Sequence, residues 1–418
     1  MGLLPCPLPC HSTDQESNKS HSNHLHSESS TSSLSSQPSL PSVPSLSLSS
    51  QQHEQPTPAA HLLGVSTLKG HSYVSSLAVA GKFLYNGSSK GEICIWSRDF
   101  ETSSLTDTAV AISNGAVKAL VVLEDKLFTA HQDHKVRVWK TDNNTQNQKY
   151  TCIATLPTLN DRFSRLFSAK NYVEVRRHKK STWVHHVDTV SALAISMDGS
   201  LLYSASWDRT FKIWRTSDFK CLQSLRNAHD DAINALVLSG DGFVYTGSAD
   251  MKIKVWKEQT GDKKHSLVAT LEKHKSAVNA LALSSDGSVL YSGACDRSIL
   301  VWERDREAMD GAGGGHMVLV GALRGHTKAI LCLAVVSNLV CSGSADNTVR
   351  IWRGGIEKSY SCLAVLEGHR RPVKCLDAAV DHGNGDRSTG SDSGSSYLVY
   401  SGSLDCDIKV WQIRVPFP

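Results

Sequence analysis

Five times the chain brings together residue types that elsewhere carry out nucleophilic or metal chemistry. His186, Ser204 and Asp208 form one such group. His229, Thr246 and Asp250, His274, Ser292 and Asp296, His326, Ser342 and Asp346, and His369, Ser401 and Asp405 repeat it. A hydroxyl, an imidazole and a carboxylate are the parts of a hydrolytic triad. Imidazole with carboxylate also suits a divalent metal. A further stretch, Gly87-Ser88-Ser89-Lys90-Gly91, fits the GxSxG pattern of serine hydrolases.

The spacing argues for a structural role instead. Each hydroxyl residue stands four positions before its Asp, and each Asp six before a Trp: Trp214, Trp256, Trp302, Trp352 and Trp411. A buried indole N–H, hydroxyl, imidazole and carboxylate each need a partner, and together they satisfy one another. Two further Trp-ended phrases depart from the pattern. The one ending at Trp139 keeps Thr129 and Asp133 but has Ser113 where His belongs. The one ending at Trp96 has Asn86 for Ser and Lys90 for Asp, and its His71 stands one residue closer to Val74. These two units are expected to be less rigidly tied.

A phrase of this length recurring seven times is the mark of a repeat architecture. Its His, Ser or Thr, Asp and Trp at near-fixed offsets resemble the WD40 repeat family over residues 62–418. The resemblance implies an all-β, seven-bladed WD40 β-propeller in which each repeat makes one four-stranded blade. It places the His before inner strand a, the hydroxyl on strand b, the Asp in the b–c turn and the Trp on strand c. GxSxG then falls between two strands rather than at a strand-to-helix elbow, so no catalytic residue is assigned. No metal or cofactor is expected either. Only seven residues follow Trp411, while an orphan apolar run, Leu62-Leu63-Gly64-Val65-Ser66-Thr67-Leu68, precedes the first repeat. That N-terminal strand is expected to complete the last blade and leave no open edge.

Composition agrees with one large repeat domain, 61–418, behind a tail, 1–60. Seventeen serines fall between positions 11 and 50, with little to bury, so the tail is expected to be disordered. A net charge of +4 is too small for wholesale nucleic-acid binding. The eleven cysteines are odd in number and several lie in apolar alternating runs, which suits a reducing compartment. Nothing reads as a signal peptide or as a membrane span of about 20 apolar residues.

Antiparallel blades put the d–a and b–c connections on one face, the top, and the a–b and c–d connections on the other. Residues 303–316 and 381–396 are expected to be floppy bottom loops. Residues 157–183 form an insertion between the second and third blades, rising from the top. Asn160 and Asp161 are expected to cap a short helix with Phe163, Leu166 and Phe167 on one side, ended by Asn171. A basic stretch follows, with Arg176, Arg177, Lys179 and Lys180. Beside it, in the b–c turn of blade three, Trp207 and Arg209 flank Asp208, where other blades carry Ala249, Cys295 or Ala345. Trp and Arg are typical binding hot spots, so these six residues are the candidate partner site.

The insertion, reading Asn171-Tyr-Val-Glu-Val-Arg-Arg-His178, and the Ser-rich tail resemble the plant Jingubang-type WD-repeat proteins. That resemblance implies a non-enzymatic regulator in cytosol and nucleus that binds a transcription factor or signalling partner and restrains pollen germination. Two rival readings stand beside it. Trp411-Gln412-Ile413-Arg414 and Trp302-Glu303-Arg304-Asp305 approach the Trp-Asp-x-Arg motif of ubiquitin-ligase substrate receptors. The basic insertion with Tyr172, His178 and Trp183 would also suit single-stranded RNA.

Overall fold

The computed structural model describes residues 43–46, 60–98, 109–141, 150–166, 172–176, 179–259, 261, 264–305, 316–355, 359–381 and 394–416. The described residues build seven four-stranded antiparallel sheets and one two-stranded hairpin. Each sheet is a blade, and in blades one to six strands a, b, c and d follow one another in chain order. Blade six shows the logic. Strand a, Ile330–Val336, alternates buried and half-buried side chains, and strand b, Leu339–Ser344, is buried throughout. Period-two alternation marks a pleated strand whose two faces are unequally covered, and unbroken burial marks one covered on both faces.

Strands a form the inner ring, each touching the next, and strand a of blade seven (Val373–Val380) meets that of blade one (Val74–Ala80). The apolar clusters lie between blades rather than within them. Phe128, Val138 and Leu156 of blade two pack with Val190, Leu202 and Trp214 of blade three. Leu84 and Trp96 of blade one pack with Tyr400 and Val410 of blade seven. Gly402 permits this second approach, since a Cβ there would stand 2.5 Å from Val74 Cγ1. Burial of this kind stabilises by roughly 25 cal/mol per Å² of apolar surface, so neighbouring blades stabilise one another and the ring has to close.

Closure follows the expected route. His61–Lys69 pairs antiparallel with strand c of blade seven, Asp407–Pro416, setting Val65 opposite Trp411 and Leu68 opposite Ile408. The chain therefore supplies three strands of blade seven from its end and the fourth from its beginning. Across the closing seam the Asp377 carboxylate accepts the Val79 N–H at 2.7 Å, and the Arg98 Nε–H donates to the Tyr400 hydroxyl at 3.1 Å.

Most of 1–60 lies outside the described residues, as do most of the two expected bottom loops. Five tail residues do not: Val43–Leu46, and Ala60, whose N–H donates to Leu363 O at 3.3 Å. Val43–Leu46 lies against the outer strand of blade five, with Ser45 bridged in parallel to Ala322. Nothing in the tail's composition pointed to an ordered contact there.

Candidate functional site

In blades three to seven the tetrads form as one chain of donors. Trp214 Nε1–H donates to Ser204 Oγ at 2.9 Å, Ser204 Oγ lies 2.9 Å from His186 Nε2, and His186 Nδ1 lies 3.0 Å from Asp208 Oδ2. The same three links recur through His229, Thr246, Asp250 and Trp256 at 2.8–2.9 Å. They recur again through His274, Ser292, Asp296 and Trp302, through His326, Ser342, Asp346 and Trp352, and through His369, Ser401, Asp405 and Trp411. Each carboxylate also accepts backbone N–H groups, as Asp346 does from Thr327 and Thr348. Burial, the largest single influence, raises the carboxyl pKa values of Asp250 and Asp296, but the histidine hydrogen bond, the histidine charge and the other hydrogen bonds together outweigh it and lower both to about 2. Burial lowers the pKa of His186 and of His369.

This geometry disposes of the triad and the metal site together. The five hydroxyl residues are fully buried. Each hydroxyl oxygen already takes an indole N–H, so it cannot face a substrate. Both ring nitrogens of each histidine are in use, leaving no lone pair for a metal.

The two departing blades substitute for the missing groups. In blade two an imidazole still fills the tetrad, but it comes from strand b. His131 Nε2 lies 2.6 Å from Thr129 Oγ1, His131 Nδ1 lies 3.0 Å from Ser113 Oγ, and Trp139 Nε1–H donates to Thr129 Oγ1 at 2.8 Å. Asp133 pairs with Arg137 instead. Burial, then the Arg137 charge, pulls the His131 pKa down to about 4. In blade one, Trp96 donates to Asn86 Oδ1 at 2.6 Å, and Glu92 rather than Lys90 supplies the carboxylate, accepting from Ser72 and Ser88. His71 is exposed. The expectation of loosely tied blades missed both networks.

The top rim is distinctive where blades two and three meet. In several blades the residue after the first of strand a reaches the next blade: Ser75 donates to Val117 O, Ser191 to Ile233 O, Asn234 to Val278 O and Asn279 to Ile330 O. In blade two that position is Lys118, whose ammonium stands 5.7 Å from the centroid of the Trp207 ring. Trp207 is half-buried on the b–c turn, and its N–H donates to Thr189 O at 3.0 Å. Arg209, two residues on, is exposed with φ of 66°, and its carbonyl accepts the Ala228 N–H. Beneath them Lys212 is buried, donating to Trp183 O and Ser224 Oγ, both at 2.7 Å. Desolvation lowers the Lys212 pKa, and Asp208 opposes that shift.

The insertion is built differently from expectation. A helix does form, Leu159–Leu166, but its cap is Thr158, whose Oγ1 accepts the Asp161 N–H, rather than Asn160 or Asp161. Asp161 is buried, and its Oδ2 accepts the N–H of Cys221, first residue of strand d of blade three. Arg162 Nε–H donates to His185 Nε2 at 3.1 Å. Cys221 opens the outermost strand of blade three, so this bond ties the helix to the outer flank of that blade. Phe163 is 59% exposed rather than packed. A hairpin follows, Tyr172–Arg176 and Lys179–Thr182. Arg177 and the side chains of Arg176, Lys179 and Lys180 lie outside the described residues, as do Phe167 and Asn171. Of the six expected partner-site residues, Trp207 and Arg209 share one turn of the described structure.

The pattern of the WD domain, G-beta repeat, matches residues 64–97, 177–215, 219–257, 265–303, 317–353 and 360–412. The chain belongs to the WD-repeat family. Curated relatives are about a quarter identical to it over the stretches that align. A CCR4-associated factor 4 homolog of Candida glabrata is 26% identical over 45% of this chain and 32% of its own length. An uncharacterized WD repeat-containing protein of Schizosaccharomyces pombe is 26% identical over 53% and 65%. The nuclear distribution protein PAC1 of Yarrowia lipolytica is 24% identical over 86% and 74%. The chain thus spans less than two thirds of the first two. WD-repeat propellers generally mediate protein–protein interactions, and no catalytic family is indicated. The matched segments skip blade two, the blade in which the tetrad imidazole has moved to strand b. No helix among the described residues is long and apolar enough to cross a membrane.

Proposed function

We propose that this WD-repeat propeller is a non-enzymatic regulator whose main protein partner docks on the top rim at blades two and three. The observation that carries the reading is the Trp207 ring, half-buried at the rim with the Lys118 ammonium over it and the exposed Arg209 two residues along the same turn. An aromatic face already flanked by cations suits an acidic, partly apolar segment of a partner. The basic hairpin residues Arg176, Arg177, Lys179 and Lys180 would extend that charge. The resemblance of the insertion to Jingubang-type proteins supports a transcription factor or signalling protein as the partner, and a regulatory role in a plant cell such as restraint of pollen germination. That resemblance, together with relatives named for a CCR4-associated factor and for nuclear distribution, supports a place in cytoplasm or nucleus.

The ligase-receptor reading has less support. Arg304, the displaced arginine of its Trp302 motif, is committed to Asp241 of blade four at 2.6 Å and lies over the Phe243 ring. Affinity capture tests the main reading. The double variant Trp207→Ala, Arg209→Ala should lose the captured partner while its melting temperature stays within a few degrees of the parent. Retained capture together with a large fall in melting temperature would show that Trp207 is an inter-blade anchor and defeat the proposal.

A further inference from the structure

The outer strand of blade five, Met317–Leu323, has one edge paired to strand c of its own blade. Its other edge faces strand d of blade six, Tyr360–Leu366. Val43–Leu46 occupies the space between. Ala322 N–H donates to Pro44 O at 3.0 Å and Ala322 O accepts the Leu46 N–H at 2.9 Å, which is the parallel ladder pattern. The Tyr360 N–H in turn donates to Leu46 O at 3.0 Å, so the segment is tied to both blades through Leu46. Arg324 Nη2 donates to Val43 O at 3.0 Å. Pro44 has no N–H, so the ladder can begin only at its carbonyl, and this sets the register.

Two features make this a built cleft rather than a chance contact. The first is Gly321. A Cβ at that position would come within 2.5 Å of Leu46 Cγ and 2.9 Å of Pro44 O, so the bare backbone is what lets the segment approach. The second is the seat for side chains. Val43 is 5% exposed, and Leu46 packs against the apolar cluster of Tyr291, Ile299, Leu323, Ile330, Trp352 and Tyr360. Main-chain bonds with alternate side chains in pockets are the signature of strand addition to a sheet edge.

We propose that the cleft between the outer strands of blades five and six is a binding site for an extended Pro-Ser-aliphatic segment, and that the chain's own Val43–Leu46 is its occupant in cis. The tail carries that phrase three times in succession: Pro38-Ser39-Leu40, Pro41-Ser42-Val43 and Pro44-Ser45-Leu46. An exact three-residue repeat offers the same cleft successive frames, with the structure showing the last one seated. The site is on the side of the propeller, apart from the top rim, and stands whether or not that rim binds a partner.

Residue-resolved hydrogen exchange on the full chain tests this. In the parent protein the Leu46, Ala322 and Tyr360 amides should exchange slowly. Gly321→Ala should speed exchange at Leu46 at least tenfold with the inner-strand amides unchanged. Should that variant lose overall stability, the double variant Val43→Asp, Leu46→Asp changes only the tail, and it should free the Ala322 and Tyr360 amides by a similar factor. Protection of Leu46 that survives Gly321→Ala, or of Ala322 and Tyr360 that survives the tail variant, would overturn the proposal. So would protection that appears only at concentrations where the protein sediments as two copies, because the occupant would then be another chain.

Discussion

His131 stands two residues after Thr129 on one strand, and its Nε2 meets the Thr129 hydroxyl at 2.6 Å. Residues two apart on a strand share a face. An imidazole placed there can therefore enter the tetrad from strand b when the loop position, Ser113, has no ring to offer. His131→Ala should remove one buried hydrogen bond each from the Thr129 and Ser113 hydroxyls and cost about 1–3 kcal/mol in denaturant titration. His71→Ala, at an exposed position, should cost far less. Equal losses would show that His131 is not a member of the tetrad.

The same residue gives a pH dependence. His131 is held neutral, with its pKa lowered to about 4 from an ordinary value of 6.5. Its contribution is therefore complete above about pH 6.5. It falls as the pH drops from there to about 4, because the unfolded chain takes up the proton first. The slope is at most about 1.4 kcal/mol per pH unit. Asp377 acts in the opposite sense. Burial raises its pKa to about 6 from 3.8, so the folded state holds the proton longer and stability falls as the pH rises from 3.8 to 6. Stability–pH curves of His131→Asn and Asp377→Asn should each lose one of these opposed slopes. A parental curve in both variants would contradict the assignment.

Closure by the N-terminal strand predicts a sharp boundary for truncation. Removing residues 1–58 should leave a cooperative fold. Removing 1–69 takes away His61–Lys69 and exposes the edge of Asp407–Pro416, so its melting temperature should be markedly lower. Thermal unfolding of the two chains side by side is the measurement, and equal midpoints would mean that the ring does not depend on this strand.

The carboxylates of the b–c turns should not be equivalent. Asp346→Ala removes the acceptor of His326 and of the Thr327 and Thr348 amides and should cost on the order of 1–3 kcal/mol. Lys90→Ala, at the same position of blade one, should change stability by a few tenths of that. In blade one the sensitive change is Glu92→Ala, since Glu92 takes the Ser72 and Ser88 hydroxyls. Chemical denaturation of the three variants orders them.

The repeat, the number of blades, the five regular tetrads and the swap of the N-terminal strand into blade seven are all legible in the residues alone. Each rests on local spacing: a four-residue and a six-residue offset, an alternating run, an apolar run without a blade. What depended on packing between distant segments was not legible. His131 could be seen as a strand residue, but that its ring fills the place vacated by Ser113 depends on how closely strand b passes the d–a loop. Asp161 reads as a helix cap. It is a tie to Cys221, 60 residues away, because the helix meets the outer flank of blade three. Lys118 and Trp207 lie in different blades and meet through the angle at which the two are set. Val43–Leu46 carries no sign of order in its composition; Gly321, far along the chain, supplies the room. Offsets along the chain determine which groups can pair within a blade, whereas the ring's closure decides which blades and side chains stand face to face.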